Sequence, residues 1–254
     1  MKRSELVAPA IKAQLADELV KKESTHISMS SLGHCARQLS YRVNGIEGTG
    51  LDWRSMMVFD DGHMHHDQLR NLIEAGLKKV PPSSCFKLTS QEKEVEYKGV
   101  TGHIDGLLEH SNLLCVNPDH HTMLLEVKSM NDRGFSELTK TETIGFEYAC
   151  QVSGYLAAMK LTEALILAKN KNTGEVAEFI YQRDDEMLDK RFAVIDKILE
   201  AKDAEEVERE YGPNKHGNLP WQCGYCPYVN LCWREHGVTE IKPKKFKVEL
   251  KDKS

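Results

Sequence analysis

Two carboxylates and a lysine in the middle of the chain are spaced so that the carboxylates could bind a metal ion. Glu126 and Lys128 are two residues apart in the apolar segment MLLEVKS, so on a β-strand both side chains point to one face, and Val127 points into the core. Asp105 follows the preceding apolar segment, and a hairpin would bring it beside Glu126. Two converging carboxylates repel each other unless a cation lies between them. Their oxygen atoms suit Mg²⁺ or Mn²⁺.

This pattern alone is equally compatible with a surface strand that carries an ordinary Glu–Lys pair and an unrelated aspartate. Two further polar positions favour a site. Gln151 and Tyr155 are four residues apart, so they share one face of a helix. Upstream, Gly62-x3-His66 places an imidazole on another helix. His63 and His65 compete with His66 for the role of ligand, and the spacing from Gly62 favours His66.

In chain order, these positions resemble those of the RecB-like branch of the PD-(D/E)XK nucleases, which have a G-x3-H helix, an aspartate, a (D/E)-x-K strand and a Q-x3-Y helix. The resemblance implies a metal-dependent DNA exonuclease that acts on single-stranded or frayed ends and leaves 5′-phosphates. The implied catalytic residues are Asp105, Glu126, Lys128, Gln151 and Tyr155. The implied metal ligands are His66, Asp105, Glu126 and the carbonyl of Val127, and the imidazole favours Mn²⁺ over Mg²⁺.

Four of the seven cysteines form a second group. Cys223, Cys226 and Cys232 are closely spaced near the C-terminus, and Cys35 lies far upstream. The odd number of cysteines and the expected cytosolic location argue against a disulfide framework. Four thiolates can hold either one Zn²⁺ or an iron–sulfur cluster, and their spacing does not choose between the two.

A resemblance favours the cluster. Cys35 begins the segment CARQLSY, which is similar to the C-x-R-x3-Y segment of the CRISPR-adaptation nucleases and of the AddB nuclease domain. In those proteins one cysteine before the nuclease core and three after it hold a [4Fe–4S] cluster. The resemblance implies such a cluster here, as a structural clasp on Cys35, Cys223, Cys226 and Cys232. The other cysteines, Cys85, Cys115 and Cys150, are expected to be buried and not to bind it.

The hydrophobic periodicity predicts the elements that position these residues. Helices are predicted over residues 10–22, 60–77, 145–160 and 184–210, and strands over 92–98, 100–109, 123–129, 163–169 and 175–182. The order predicts an α/β fold of the restriction-endonuclease type, with a mixed sheet flanked by helices and a small cysteine-stapled C-terminal lobe. The predicted parts are a helical segment at 1–45 that supplies one cluster cysteine, a nuclease core at 46–210, an iron–sulfur lobe at 211–236 and a basic tail at 237–254. The tail is expected to be solvated, with a dedicated DNA contact as the alternative.

Composition limits the remaining alternatives. Charged residues make up 29% of the chain and hydrophobic ones 40%, which is typical of a globular domain. The net charge of −5 does not exclude DNA, because a basic groove can exist on an acidic protein. The absence of a long apolar run and of a signal-type N-terminus predicts a cytoplasmic protein with no membrane partner, with phage or viral origin left open.

Two other functions stay open at this point. One is a non-catalytic DNA-binding module, and the other is a zinc-stapled endonuclease on the same fold. No G-x4-G-K-[ST] segment occurs in the sequence, so a helicase, recombination or CRISPR-adaptation partner is expected to be a separate chain.

Overall fold

The computed structural model describes residue 14 and residues 25–49, 53–79, 86–110 and 122–250. Apart from Gln14, the helix predicted over residues 10–22 lies outside this part of the chain, as do Cys85 and Cys115. The chain divides into two compact units. The sheet unit comprises Ser28–Gly33 and Val58–Arg191, and the cysteine unit comprises the described residues of 1–27, 34–57 and 192–254.

The sheet unit is built on a five-stranded mixed sheet, which confirms the predicted α/β class. Its strand order is β1-β4-β5-β6-β7, in which β5 and β6 are parallel and the other neighbours are antiparallel. A separate hairpin pairs β2 with β3. The strands of this unit are β1 Phe86–Thr89, β2 Glu94–Tyr97, β3 Val100–His103, β4 Gly106–His110, β5 Met123–Met130, β6 Glu163–Asn170 and β7 Val176–Gln182.

The burial of the strands follows their sequence. The central pair β5 and β6 buries consecutive residues, as expected for parallel strands that are covered on both faces. The outer strand β7 alternates between exposed and half-buried residues, so one of its faces meets solvent. A parallel pair needs a crossover connection, and here the helices Asp132–Thr141 and Phe146–Met159 provide it.

The structure of this unit differs from the prediction in four details. The strand predicted over residues 100–109 is two strands, β3 and β4, and β3 pairs with β2 outside the main sheet. The break falls at Asp105, whose side chain accepts a hydrogen bond from β5 in place of a backbone carbonyl. Strand β1 and the helix Asp132–Thr141 were not predicted. The helix predicted over residues 60–77 begins earlier and spans Trp53–Leu77.

The cysteine unit contains short elements. They are the helices Ala36–Val43, Trp221–Gly224 and Val229–Cys232 and the hairpin of β8 Thr239–Lys242 and β9 Lys245–Lys247. The long helix predicted over residues 184–210 spans only Asp185–Glu200. A new turn begins at Asp203, whose side chain accepts from the Glu205 N–H at 2.8 Å. The tail expected to be solvated is paired over β8 and β9, and Val248 after it is buried.

None of the helices in the described ranges combines the length and the apolar composition that a membrane span requires.

Candidate active site and thiol group

Asp105 joins two elements of the sheet unit at the break between β3 and β4. Its Oδ1 lies 3.2 Å from Nδ1 of His66, on the Trp53–Leu77 helix. Its Oδ2 accepts the backbone N–H of Val127 at 2.7 Å. Burial acts to raise the pKa of Asp105, but the hydrogen bonds from His66 and Val127 outweigh it, so the pKa is lowered. The carboxylate is therefore held ionised and fixed in orientation.

Glu126 and Lys128 share one face of β5, as their spacing predicted. Glu126 Oε1 lies 2.6 Å from Lys128 Nζ, with 3% and 13% of the two side chains exposed. Val127 points to the opposite side and packs in the apolar cluster beneath the sheet. Burial, and then the nearby Asp105, raise the pKa of Glu126 against the attraction of Lys128. Burial would lower the pKa of Lys128, but Glu126 outweighs it and the pKa is raised.

The helix Phe146–Met159 supplies the polar residues that hold the lysine. Lys128 Nζ donates to Gln151 Oε1 at 2.9 Å, and Gln151 Nε2 donates to the Tyr155 hydroxyl at 3.4 Å. Tyr155 is buried, and burial together with the Glu126 carboxylate raises the pKa of its hydroxyl. A Cβ on Gly102 would lie 2.9 Å from the Tyr155 ring, so this glycine lets the helix approach β3 closely.

The structure distinguishes the three neighbouring histidines. His66 faces Asp105, as the spacing from Gly62 predicted. His65 lies on another side of the helix, with its Nδ1 3.1 Å from Lys169 Nζ. The side chain of His63 is exposed. The geometry thus brings together His66, Asp105, Glu126, Lys128, Gln151 and Tyr155.

One residue beside the site was missed from the sequence. The ring of Tyr148 covers Lys128, with 4.6 Å between Nζ and the ring centroid, while Tyr148 stays 41% exposed. Tyr148 precedes Gln151 by three residues, so helical spacing alone would have placed it on the same face. The ring is therefore an exposed aromatic surface next to the buried lysine.

The donors of this site fit a divalent ion in kind. The carboxylate of Asp105 and the imidazole of His66 both interact electrostatically with the carboxylate of Glu126. Oxygen and nitrogen ligands of this type suit Mn²⁺ or Mg²⁺. Within the described ranges, no three His, Cys, Asp or Glu side chains are arranged to hold an ion as they stand. Here the Lys128 ammonium provides the positive charge beside the buried carboxylate. Binding an ion would require Glu126 to exchange that partner.

The four predicted cluster thiols all belong to the cysteine unit. Cys35 precedes the first residue of the Ala36–Val43 helix, and the other three lie on or beside the short helices that follow residue 220. Burial, with a smaller contribution from the neighbouring thiols, raises the pKa of Cys223 to about 11 and that of Cys226 to about 12. Burial also raises the pKa of Cys232. The electrostatic influence of Cys35 reaches all three.

Hydrogen-bond donors surround these sulfur atoms. The Trp233 side chain bonds to Cys223, the backbone N–H of Tyr228 bonds to Cys226, and the Arg209 side chain bonds to Cys232. N–H groups directed at sulfur stabilise thiolates, and they tune iron–sulfur clusters. Each thiolate of a four-iron cluster binds a different iron, so the four sulfurs stand wider apart than around one ion. In kind these donors suit a sulfur-bound metal group, although no three thiols of the described ranges are arranged to hold an ion as they stand.

The remaining described cysteine is separate from this group. Cys150 is fully buried in the sheet unit, and its sulfur lies 3.9 Å from that of Met187. The arrangement is that of a small apolar side chain in a core, as the sequence predicted for Cys150.

No protein-family model matches the chain, and no curated protein matches it. Among solved structures, the fold is similar to a protein named SSO0001, at 12% identity and a TM-score of 0.48 over 90% of this chain and 96% of that one. It is similar to the alkaline exonuclease LHK-Exo from Laribacter hongkongensis, at 16% identity and a TM-score of 0.46 over 72% and 91%. A phage-related exonuclease from Haemophilus somnus shows 14% identity and a TM-score of 0.41 over 68% and 92%. Likenesses this distant concern the fold, and any inference about activity depends on the site itself.

Proposed function

We propose that the chain is a metal-dependent DNA exonuclease of the RecB-like PD-(D/E)XK type, which hydrolyses phosphodiester bonds from single-stranded ends. One observation carries the proposal: a buried Glu–Lys pair on β5 adjoins an ionised aspartate that is hydrogen-bonded to a histidine. A network of this composition contributes little to stability, because burying charges costs several kcal/mol. It is suited to holding a cation against a phosphate.

The metal ligands in this proposal are His66, Asp105, Glu126 and the carbonyl of Val127. When bound there, Mn²⁺ or Mg²⁺ would neutralise phosphate charge and activate water. The imidazole in the ligand set favours Mn²⁺.

Lys128 acts in this proposal as a hydrogen-bond donor to the phosphate oxygens. The raised pKa of Lys128 keeps its ammonium protonated at neutral pH, so the group orients water and stabilises developing negative charge and does not remove a proton. Gln151 accepts from the ammonium and Tyr155 supports Gln151, so the helix that carries both residues fixes the direction of Nζ. Both are positioning residues with respect to the lysine.

The thiols form the second half of the proposal. Cys35, Cys223, Cys226 and Cys232 would hold a structural [4Fe–4S] cluster, which the sulfur-directed N–H donors support. A single Zn²⁺ is the competing occupant. Iron, sulfide and zinc analysis of protein purified without oxygen decides between them: about four irons per chain supports the cluster, and one zinc without iron replaces it.

The proposed location is the cytoplasm. If the protein is encoded by a phage, it would act in the cytoplasm of the host. The proposed partner is a helicase, recombination or CRISPR-adaptation protein that unwinds duplex DNA, an activity for which these 254 residues carry no nucleotide-binding loop of the P-loop type.

A time course on end-labelled DNA tests the activity. Single-stranded and blunt double-stranded oligonucleotides are incubated with the protein in Mn²⁺, in Mg²⁺ or in EDTA. We expect progressive shortening from the ends of the single strand, fastest in Mn²⁺ and absent in EDTA. Binding without cleavage in every metal would favour the non-catalytic DNA-binding module. Internal cuts in the duplex would favour an endonuclease.

A further inference from the structure

Two aromatic rings of the cysteine unit lie exposed beside each other. Trp221 and Tyr225 are each 64% exposed, and their ring centroids are 6.3 Å apart in an edge-to-face arrangement. In the same unit, Tyr228 and Trp233 are buried and contribute to its apolar clusters. Exposure of a neighbouring aromatic pair forgoes the stabilisation that burial of such rings provides. The pair therefore has the character of a binding surface.

The hairpin β8–β9 provides a strong positive charge. Residues 239–247 carry four lysines against one glutamate. Lys242 and Lys245 are direct cross-strand partners, and like charges in this position destabilise a hairpin. Both are exposed, as is Lys247. An anion bound across the hairpin would relieve the repulsion.

One lysine of the hairpin lies directly against the aromatic pair. Lys244 Nζ lies 4.5 Å from the centroid of the Tyr225 ring, and the Leu219 N–H donates to the Phe246 carbonyl at 3.0 Å. A Cβ on Gly224 would lie 2.0 Å from the Lys244 carbonyl, so only glycine lets the short helix meet the hairpin. Lys244 itself has a φ of +59°, in the left-handed region that a lysine adopts only at an energetic cost.

We propose that Trp221, Tyr225 and the hairpin lysines bind single-stranded nucleic acid, with bases stacked on the rings and phosphates on the lysines. Aromatic rings beside cations are the two components of sequence-independent single-strand binding. The phosphates of duplex DNA would also bind the lysines, but a duplex offers no free base faces on which the rings could stack. The inference rests on the proposed function only in taking DNA as the ligand, and binding at this surface needs no cleavage.

The test measures binding of a fluorescein-labelled oligo-dT of about 20 nucleotides by the full chain in EDTA, which prevents hydrolysis. Trp221→Ala and Tyr225→Ala are each expected to weaken binding about tenfold, as the loss of one stacked base does. The control is Phe59→Ala, which removes another exposed ring, 53% exposed, from the sheet unit and should leave the affinity unchanged. Equal affinity of the wild type and the Trp221→Ala, Tyr225→Ala double variant would overturn the proposal.

The lysines are tested through salt dependence. Replacing Lys242, Lys245 and Lys247 together by alanine should reduce the slope of log affinity against log salt concentration by about two, because each phosphate contact on a single strand contributes about 0.7. A control that replaces Lys140, Lys171 and Lys197, all exposed elsewhere, should keep the wild-type slope. The same slope in both triple variants would show that the hairpin does not bind phosphates.

A spectroscopic readout covers the case in which an alanine variant does not fold. Oligo-dT should quench part of the tryptophan fluorescence of the wild type, and Trp221→Phe should remove that quenching but retain the affinity. Equal tightness for blunt duplex, or a stronger response to phosphatidylserine vesicles than to oligo-dT, would overturn single-strand recognition. If the wild type cuts no DNA in Mn²⁺ yet the binding results hold, the proposed function fails and this surface stands.

Discussion

The carboxylate site and the thiol group differ in how the charge of their buried groups is balanced. In the sheet unit, the ionised groups compensate one another, since Glu126 pairs with Lys128 and Asp105 bonds to His66. In the cysteine unit, burial raises the pKa of Cys223 and of Cys226, so without a metal these two thiols are neutral at physiological pH. The first site is organised before any ion binds. In the proposal, the second would become charged only when a metal displaces the protons of its thiols.

The largest effect should follow from breaking the carboxylate site. Asp105→Ala, Glu126→Ala and Lys128→Ala should each reduce DNA cleavage by on the order of a thousandfold, because each removes a charge that acts on the scissile phosphate. The rate on labelled single strands measures this, and circular dichroism checks the fold. Glu178→Ala, an exposed change on β7, is the control that should retain activity. Wild-type rates in any two of the three variants would refute the site.

Breaking the thiol group should affect metal content and stability more than chemistry. Cys35→Ser should lose as much iron as Cys232→Ser, although the two residues are far apart in sequence, because a cluster that lacks one ligand falls apart. Cys150→Ser, in the other unit, should retain the iron and the brown colour. Iron assays on anaerobic preparations measure the difference. Retention of iron by Cys35→Ser would remove this residue from the cluster.

Two ion pairs of equal length offer a sharper comparison of burial. The Lys128–Glu126 and Lys190–Glu186 pairs both have a nitrogen–oxygen distance of 2.6 Å, but the first is buried and the second exposed. Lys128→Ala should lower the free energy of unfolding by about 3 kcal/mol, because Glu126 is left buried without a counter-ion. Lys190→Ala should change it little.

Urea denaturation measures the free energy of unfolding of Lys128→Ala and of Lys190→Ala. Adding Mn²⁺ should recover part of the stability that Lys128→Ala loses, because the ion can replace the ammonium beside the carboxylates. If Mn²⁺ stabilises the wild type and leaves Lys128→Ala unaffected, the lysine is not a substitute for the ion.

The smallest effect is expected at the histidines. His66→Ala should need on the order of tenfold more Mn²⁺ for half-maximal cleavage, since it removes one of several ligands. His63→Ala is the control on an exposed neighbour, and His65→Ala removes only a contact to Lys169. A metal titration of the cleavage rate measures all three. If His65→Ala is the sensitive variant, the assignment of His66 as the ligand from its spacing to Gly62 is wrong.

The sequence predicted those parts of the site that depend on local periodicity. The shared face of Glu126 and Lys128 follows from the two-residue repeat of a strand, and that of Gln151 and Tyr155 from the helical repeat. The break at Asp105 could not be predicted in this way, because VTGHIDGLLE reads as one strand. Its cause is distant in sequence: the Asp105 side chain bonds to the N–H of Val127.

The two elements that the hydrophobic periodicity did not predict, a strand and a helix, escaped prediction for different physical reasons. Strand β1, Phe86–Thr89, has four residues and pairs along its whole length with β4, so its existence depends on a partner more than on its own sequence. The helix Asp132–Thr141, by contrast, has a local signal in its sequence. Asn131 caps it by accepting the Gly134 N–H at 2.8 Å, and asparagine is a preferred residue at this position.

The most direct test of the central claim is calorimetric titration of Mn²⁺ into the wild type and into Glu126→Gln, without DNA. The claim is that the buried carboxylates beside Lys128 form a divalent-ion site, although a lysine provides the charge in the structure. The account predicts binding to the wild type and at least a tenfold loss of affinity in Glu126→Gln, which keeps the shape of the side chain but removes its charge. The same Mn²⁺ affinity in both proteins would contradict it.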